Sequence, residues 1–204
     1  MAGLLFLALV YFVVAQAAVT RNGGQTAADA AALAAAQDAR RQLRDGWLQV
    51  ILEPDRWDGF IDGTDYVAAS ACTSADRYAA DNGAKVTGAC APYRAGGAEV
   101  FRLHVRTDAG VGRSLVPGTE NVHGEATATA VLEPRCSFDP PPPTPPPPTP
   151  TGPTPTDSPS PEPTPSPEPE PITGLVCDDA EWTIDPEDPR LPDAADLFTV
   201  RLVD

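Results

Sequence analysis

The chain has 204 residues, with 14 basic and 29 acidic side chains and a net charge of −15. This length suits one small domain with additional segments rather than two large domains. Acidity increases along the chain, because the net charge is −3 over residues 1–136, −5 over 137–171 and −7 over 172–204. The sequence shows no basic stripe, so we do not expect a nucleic-acid partner.

Residues 1–20 are predicted to form a transmembrane helix. Met1–Ala15 carries no charge, and the apolar run continues to Val19. Nineteen residues at about 1.5 Å per residue span about 28 Å, close to the hydrocarbon thickness of a bilayer. The predicted partner of Met1–Val19 is therefore the membrane. Ala15-Gln16-Ala17 also resembles a signal-peptidase site, so a secreted protein released after Ala17 is the alternative.

Residues 21–45 predict an alanine-rich helix that continues outside the membrane, because strong helix formers dominate this stretch. Gly23-Gly24 predicts a kink or break, and Thr26 followed by Asp29 resembles a capping box that would restart the helix. Leu33, Leu43 and Trp47 predict one apolar stripe. We expect the polar residues to face solvent or a partner: Gln37, Asp38, Arg40, Arg41 and Arg44.

This order of residues resembles the N-terminal region of the TadE/TadG-like family. The residues that carry the resemblance follow the apolar run: Arg21, Gln25, Ala27, Ala28, Asp29, Ala30, Ala31 and Leu33. It covers residues 1–45 and extends loosely to about residue 135. The resemblance implies a pilin-like component of the tight-adherence (Flp-type) pilus assembly system, anchored in the cell membrane with its C-terminal part extracytoplasmic. It also implies other pilus-assembly or pilin-like subunits as partners of the N-terminal helix.

Four cysteines, Cys72, Cys90, Cys136 and Cys177, suggest disulfides in an oxidising compartment. Of the three possible pairings, Cys72–Cys90 with Cys136–Cys177 is the most economical, and four reduced thiols are the alternative. The sequence has no CxxC pair, so it gives no support for a zinc site. The arginines after residue 20 favour a cytoplasmic C-terminal side by the positive-inside rule, but the cysteines and the proline-rich stretch favour the opposite orientation, which we adopt.

Residues 46–136 predict a small extracytoplasmic α+β domain, a helix packed on an antiparallel sheet. Gly46 is expected to end the long helix. The apolar residues after it are expected to enter the core: Trp47, Leu48, Val50, Ile51 and Leu52. A helix is predicted over 66–83, and strands over 85–93, 99–107 and 123–133, from their periodicity. Phe101, Leu103 and Val105 are expected to face inward, with Arg102, His104 and Arg106 outward.

Residues 137–171 predict a proline-rich, disordered linker or loop, since 18 of the 32 residues from 140 to 171 are proline. If Cys136 pairs with Cys177, this segment becomes a projecting loop rather than a stalk. Residues 172–204 are too few to fold alone. We expect this acidic tail to dock on the preceding domain as an edge strand.

The sequence contains no catalytic motif, so we predict a protein that is not an enzyme, with no cofactor and no metal. His104 and His123 lack a neighbouring nucleophile. A group of aspartates does not match the EF-hand loop and is interpreted as solvated: Asp55, Asp58, Asp62 and Asp65. The predicted fold is α+β, with a disulfide-stapled domain after a long N-terminal helix. A cell-envelope binding module is a further alternative function.

Overall fold

A computed structural model describes residues 2–110, 122–140, 142, 170–187 and 190–203. Helix α1 (Ala2–Gln49) is followed by a 3₁₀ turn (Pro54–Arg56), α2 (Asp58–Ile61) and α3 (Ala68–Asp81). The strands are β1 (Ala84–Thr87), β2 (Tyr93–Ala95), β3 (Ala98–Gly110), β4 (His123–Pro134), β5 (Cys136–Phe138), β6 (Ile172–Cys177), β7 (Ala180–Ile184) and β8 (Phe198–Val203). Helix α4 (Ala194–Leu197) precedes β8. The α+β class is confirmed.

Helix α1 packs on a five-stranded antiparallel sheet. The strand order is β1-β3-β4-β8, and β2 pairs with β3 beside β1. The inward residues of β3, Phe101, Leu103 and Val105, are buried as predicted, while the intervening Arg102, His104 and Arg106 are exposed. Because Ala128 and Ala130 on β4 are small and buried, the helix can approach the sheet closely.

Helix α3 also packs against α1, and alanines form its contact face. Ala71, Ala75 and Ala79 are fully buried at a spacing of four residues, so they share one side of α3. The predicted helix over 66–83 is shorter in the structure, and its flanking Val67 and its Tyr78 are exposed. Gly83, with φ of 68°, follows the helix end and begins the turn into β1.

Four expectations about α1 and the segment after it are wrong. The helix is continuous from Ala2 to Gln49, so no break occurs at Gly23-Gly24. Thr26 does not restart a helix, because its hydroxyl donates to Asn22 O within the same helix at 3.0 Å. Gly46 does not end the helix, which continues to Gln49. Glycine at this position instead lets the Phe60 ring pack against α1, because a Cβ there would overlap the ring. Leu52 is exposed rather than buried in the core.

A second sheet of three strands, β5-β6-β7, was not predicted. Strands β6 and β7 form a tight hairpin in which Cys177 pairs with Ala180. The two residues between them, Asp178 and Asp179, have φ of 46° and 65°. Aspartate tolerates this left-handed conformation better than most residues, and two successive positive φ values suit a two-residue hairpin turn.

The second sheet covers the C-terminal end of α1. Trp57 lies between Trp47 of α1 and Phe138 of β5, with ring centroids 5.4 and 4.6 Å away. The Trp57 indole also donates to Val50 O at 3.0 Å. Leu175, Cys177 and Ile184 from the small sheet belong to the same buried core as α1 and β3. The acidic tail therefore contributes core residues as well as a surface.

The tail also places β8 beside β4, at the edge of the large sheet. Arg201 on β8 donates from Nη2 and Nε to the Glu133 carboxylate on β4, at 2.6 and 3.2 Å. This hydrogen-bonded arginine lowers the pKa of Glu133, although partial burial opposes the shift. The predicted strand over 85–93 is in fact β1 alone, and β2 forms separately. Most of the proline-rich stretch lies outside the described residues.

Candidate functional site

The candidate site is the first part of α1, residues 3–19, which we call the projecting segment. Most of its large apolar side chains whose placement is described point into solvent instead of the core. Eight of them are 43–77 % exposed: Leu4, Leu5, Phe6, Leu7, Val10, Tyr11, Val14 and Val19. An exposed apolar surface of this kind marks an interaction site, because leaving it in water is unfavourable.

Beyond the projecting segment, α1 meets the sheet at two successive glycines. A Cβ at Gly23 would meet nothing within 4 Å, whereas one at Gly24 would lie 3.6 Å from Thr107 Cγ2 and 3.7 Å from Ala126 Cβ. Beyond this point the helix is buried, with Ala27, Ala28 and Ala31 inaccessible. A 48-residue helix is about 72 Å long, so about 30 Å of it extends beyond the sheet.

The residues from which we predict a resemblance to the TadE/TadG-like family lie at this junction. Ala27, Ala28 and Ala31 face the core, while Asp29, Ala30 and Leu33 are partly buried and Arg21 is exposed. The Gln25 side-chain amide donates to Asp29 Oδ1 at 2.8 Å and to Thr127 O of β4 at 3.4 Å. These residues therefore attach the base of the projecting segment to the sheet.

A buried carboxylate fixes the packed part of α1 to α3. The Asp38 carboxylate accepts hydrogen bonds from Arg41 at 2.6 Å, Gln42 at 2.7 Å and Ser70 at 3.0 Å. Burial alone would raise the pKa of Asp38, but hydrogen bonds from Ser70, Gln42, Arg41 and Ser74 together lower it. Gln42 Oε1 also accepts from Val67 N at 2.9 Å, just before α3 begins.

Asp38 was predicted to be solvated or to face a partner, and this prediction is wrong, since only 8 % of the residue is exposed. The sequence does contain a signal that would have placed it inside. Asp38 lies three, four and seven residues after Ala35, Ala34 and Ala31, on the same side of the helix. A single charged residue on an alanine face indicates a polar contact with the neighbouring element.

A second buried polar pair was also missed. Tyr66 donates from its hydroxyl to Glu99 Oε1 at 2.8 Å, and Glu99 is buried at the start of β3. Burial and the hydrogen bond to Glu99 raise the pKa of Tyr66. No local pattern identifies this pair, because its two residues are 33 positions apart.

Both predicted disulfides, Cys72–Cys90 and Cys136–Cys177, are confirmed. The first joins α3 to the segment after β1, and the second joins the paired residues of β5 and β6. Because β5 and β6 are adjacent antiparallel strands, both ends of the proline-rich stretch leave the domain side by side. This arrangement makes the stretch a loop closed by a disulfide. Disulfides persist in oxidising compartments.

The other candidate residues are dispersed. His104 Nδ1 lies 2.7 Å from Thr127 Oγ1, and the His123 ring donates from Nδ1 to Thr107 O at 2.7 Å. Within the residues that the structure describes, no group of three or more His, Cys, Asp or Glu side chains is arranged to hold a metal ion. The candidate aspartates are exposed in and after the turn that follows α1: Asp55, Asp58, Asp62 and Asp65.

Among the residues described, no helix is both long and apolar enough to cross a bilayer, so the predicted transmembrane helix over residues 1–20 is not confirmed. No protein-family model, curated protein or solved structure matches this chain.

Proposed function

We propose that this chain is a non-enzymatic, pilin-like surface component whose N-terminal helix anchors it in the cell membrane, with the disulfide-bonded domain on the extracytoplasmic side. Its role is in an Flp-type pilus assembly or related surface system. There the projecting segments of neighbouring subunits pack together after leaving the bilayer. Helix α1 then mediates the contacts between subunits, and the disulfide-bonded domain is exposed at the cell surface.

One observation carries this proposal. A single helix, α1, exposes large apolar side chains along residues 3–19 and buries small ones from Ala27 onward. The first part needs an apolar environment that the domain does not supply, since burying one such side chain is worth about 1.5–3 kcal/mol. The resemblance of residues 21–33 to TadE/TadG-like proteins and the two disulfides support the extracytoplasmic, pilin-like form.

The test compares the membrane association of the wild type with that of Val10→Arg/Val14→Arg. These exposed residues lie one turn apart on the projecting segment, so the variant places two charges on one side of it. We expect the wild type to remain in the membrane fraction after an alkaline wash and the variant to be largely soluble. A charged residue in a membrane helix costs about 2.5–3.5 kcal/mol on insertion scales.

Leu52→Arg/Val67→Arg is the matched control, because both residues are exposed apolar side chains on the domain itself. It should fractionate like the wild type. If Val10→Arg/Val14→Arg also stays in the membrane fraction, the anchor is elsewhere and the proposal fails. Intact mass decides between this proposal and the secreted alternative, since a native chain that begins at Ala18 in the medium would contradict anchoring.

A role in pilus assembly is tested separately, by measuring how the protein distributes between surface filaments and membranes. Native cells are sheared, and the surface filaments are separated from the membranes. We expect the protein to be enriched with the filaments or at their membrane base in wild-type cells. A uniform distribution in the membrane, unchanged when filament assembly is disabled, would argue against a pilin-like role.

A further inference from the structure

The outer face of the large sheet carries a row of basic side chains. Arg102, His104 and Arg106 alternate along β3 and are all exposed, on the side of the sheet opposite α1. Lys85 on β1 lies opposite Arg106, so it extends the row sideways. We call Lys85, Arg102, His104 and Arg106 the basic face.

The charges of the basic face are little compensated. Glu125 on β4 lies opposite Arg106, but no carboxylate of the described chain lies within 4 Å of the Lys85, Arg102 or Arg106 nitrogens. By contrast, Arg201 on the same face is paired with Glu133 at 2.6 Å. In a chain of net charge −15, an uncompensated basic surface is a local exception.

The small sheet presents the opposite charge. Residues 170–187, which we call the acidic hairpin, include six carboxylates and no basic side chain. Asp178, Asp179, Glu181 and Glu187 are exposed. Only Asp178 is engaged within the described chain by a basic partner, Arg135. The acidic hairpin therefore offers several uncompensated negative charges on one compact element.

The two charged surfaces lie at opposite ends of the domain. The basic face is near the start of the packed helix, because Gly24 lies against Thr107, the residue after Arg106. The acidic hairpin is near its end, because Trp57 packs against both Trp47 of α1 and Phe138 of the small sheet. Gly24 and Trp47 are 23 residues apart, or about 35 Å along the helix. One copy cannot join its own two surfaces.

We propose that the basic face of one copy binds the acidic hairpin of a second copy. The contact is head-to-tail, so it leaves one surface of each kind unoccupied at the two ends of a pair. Interfaces of this type add further copies and produce either closed rings or open filaments. The inference rests on the proposed pilin-like function, to which it adds a second contact, outside the apolar helix.

The experiment measures self-association of the full chain in a neutral detergent by sedimentation velocity, in 100 mM and in 1 M NaCl. The Debye screening length is about 10 Å in 100 mM NaCl and about 3 Å in 1 M NaCl. In 100 mM NaCl, opposite charges in contact therefore still attract each other, while repulsion between more distant like charges is already weakened. We expect the wild type to associate in 100 mM NaCl and at least tenfold more weakly in 1 M.

Charge reversal tests which surfaces are used. Arg102→Glu/Arg106→Glu should weaken association at least tenfold, and so should Glu181→Lys/Glu187→Lys. The second result is diagnostic, because those lysines reduce the overall negative charge and would strengthen association if only net repulsion mattered. Neither variant should associate with itself, but mixing the two should restore association. The intact acidic hairpin of the first variant can bind the intact basic face of the second.

Arg56→Glu/Arg77→Glu is the matched control for Arg102→Glu/Arg106→Glu. It makes the same change in net charge, but at exposed arginines away from the sheet. It should associate like the wild type. Association that ignores salt and both reversals would come from the projecting segment, and would overturn this inference while supporting the proposed function. A wild type that does not associate in 100 mM NaCl would also overturn it, whereas failure of the membrane test above would bear on the anchor alone.

Discussion

The two halves of helix α1 have the same backbone conformation and opposite environments. Along residues 3–19, leucine, valine, phenylalanine and tyrosine side chains are exposed. Along residues 27–39, alanines are buried between the sheet and α3. Burial therefore does not follow the size of the apolar side chain within this helix.

The difference shows what each half is built to contact. Alanine adds little area but permits close approach, so the packed half suits two rigid neighbours, β4 and α3, which lie close to its axis. Large side chains gain more from burial, so the projecting half suits partners that the domain does not contain. Substitutions in the packed half should therefore change the stability of the domain, whereas matched substitutions in the projecting half should not.

Trp47→Ala should be the most damaging change in the packed half. Trp47 is 1 % exposed and packs against Trp57, so its removal leaves a cavity between α1 and the small sheet. We expect a loss of about 3–5 kcal/mol in the free energy of unfolding, measured by circular dichroism in detergent. Leu5→Ala in the projecting half is the control, and an equal loss there would refute the contrast.

Ala35→Leu should destabilise the packed half by overfilling it. Ala35 is fully buried, and adding three carbon atoms requires α1 to move away from its neighbours. The expected loss is about 1–3 kcal/mol, read from the denaturation midpoint. Ala18→Leu makes the same change on an exposed position of the projecting half and should leave unfolding of the domain unchanged. A tolerated Ala35→Leu would mean that the helix is not closely packed.

Asp38→Asn tests the polar contact between α1 and α3. The pKa of Asp38 is lowered in the folded state, so its ionised form contributes stability above the unfolded pKa of about 3.9. That contribution is lost as the pH falls through the lower, folded value. We expect the variant to lose about 1–3 kcal/mol at pH 7.

The pH dependence of the Asp38→Asn variant sharpens this test. Its stability should fall less than that of the wild type between pH 5 and pH 2, because the group that titrates has been removed. Asp76→Asn, at an exposed position of α3, should retain the wild-type pH profile. An unchanged acid profile in Asp38→Asn would show that this carboxylate is not responsible.

Gly23→Ala should have the smallest effect, and it should be stabilising. Gly23 is helical, and a Cβ there would meet nothing within 4 Å. Alanine favours a helix over glycine by about 0.5–1 kcal/mol. Helical signal at 222 nm should persist to a higher temperature in the variant. If the variant is instead destabilised, flexibility at the boundary between the two halves is required.

Local patterns predicted much of the large sheet and both disulfides. Alternation identified β3 and β4 because one side of each strand is buried and the other is not. The small sheet was missed because β5 and β6 are separated by 33 residues, so their pairing has no local signal. The hairpin turn was missed because Asp178-Asp179 lacks the usual glycine.

The candidate site divides in the same way. Apolar residues 3–19 were recognisable from the sequence as a segment that needs an apolar environment, and the structure shows them outside the core. The burial of Asp38 and the pairing of Tyr66 with Glu99 were not recognised, because each depends on a neighbour supplied by another element. The basic face was visible as an alternation, but its distance from the acidic hairpin required the packing of α1.

Elements whose information is local could be recognised from the sequence alone: a long helix, strands with alternating apolar residues, and four cysteines that pair in the order in which they occur. These follow from backbone propensity and from the periodicity of apolar residues, which neighbouring positions carry. The continuation of α1 through Gly23-Gly24 and the addition of the tail to both sheets became evident only from the packing of the folded chain. Gly24 packs against Thr107 and Ala126, and the tail strands β6 and β8 pair with β5 and β4, so contacts with distant residues outweigh the small local preferences.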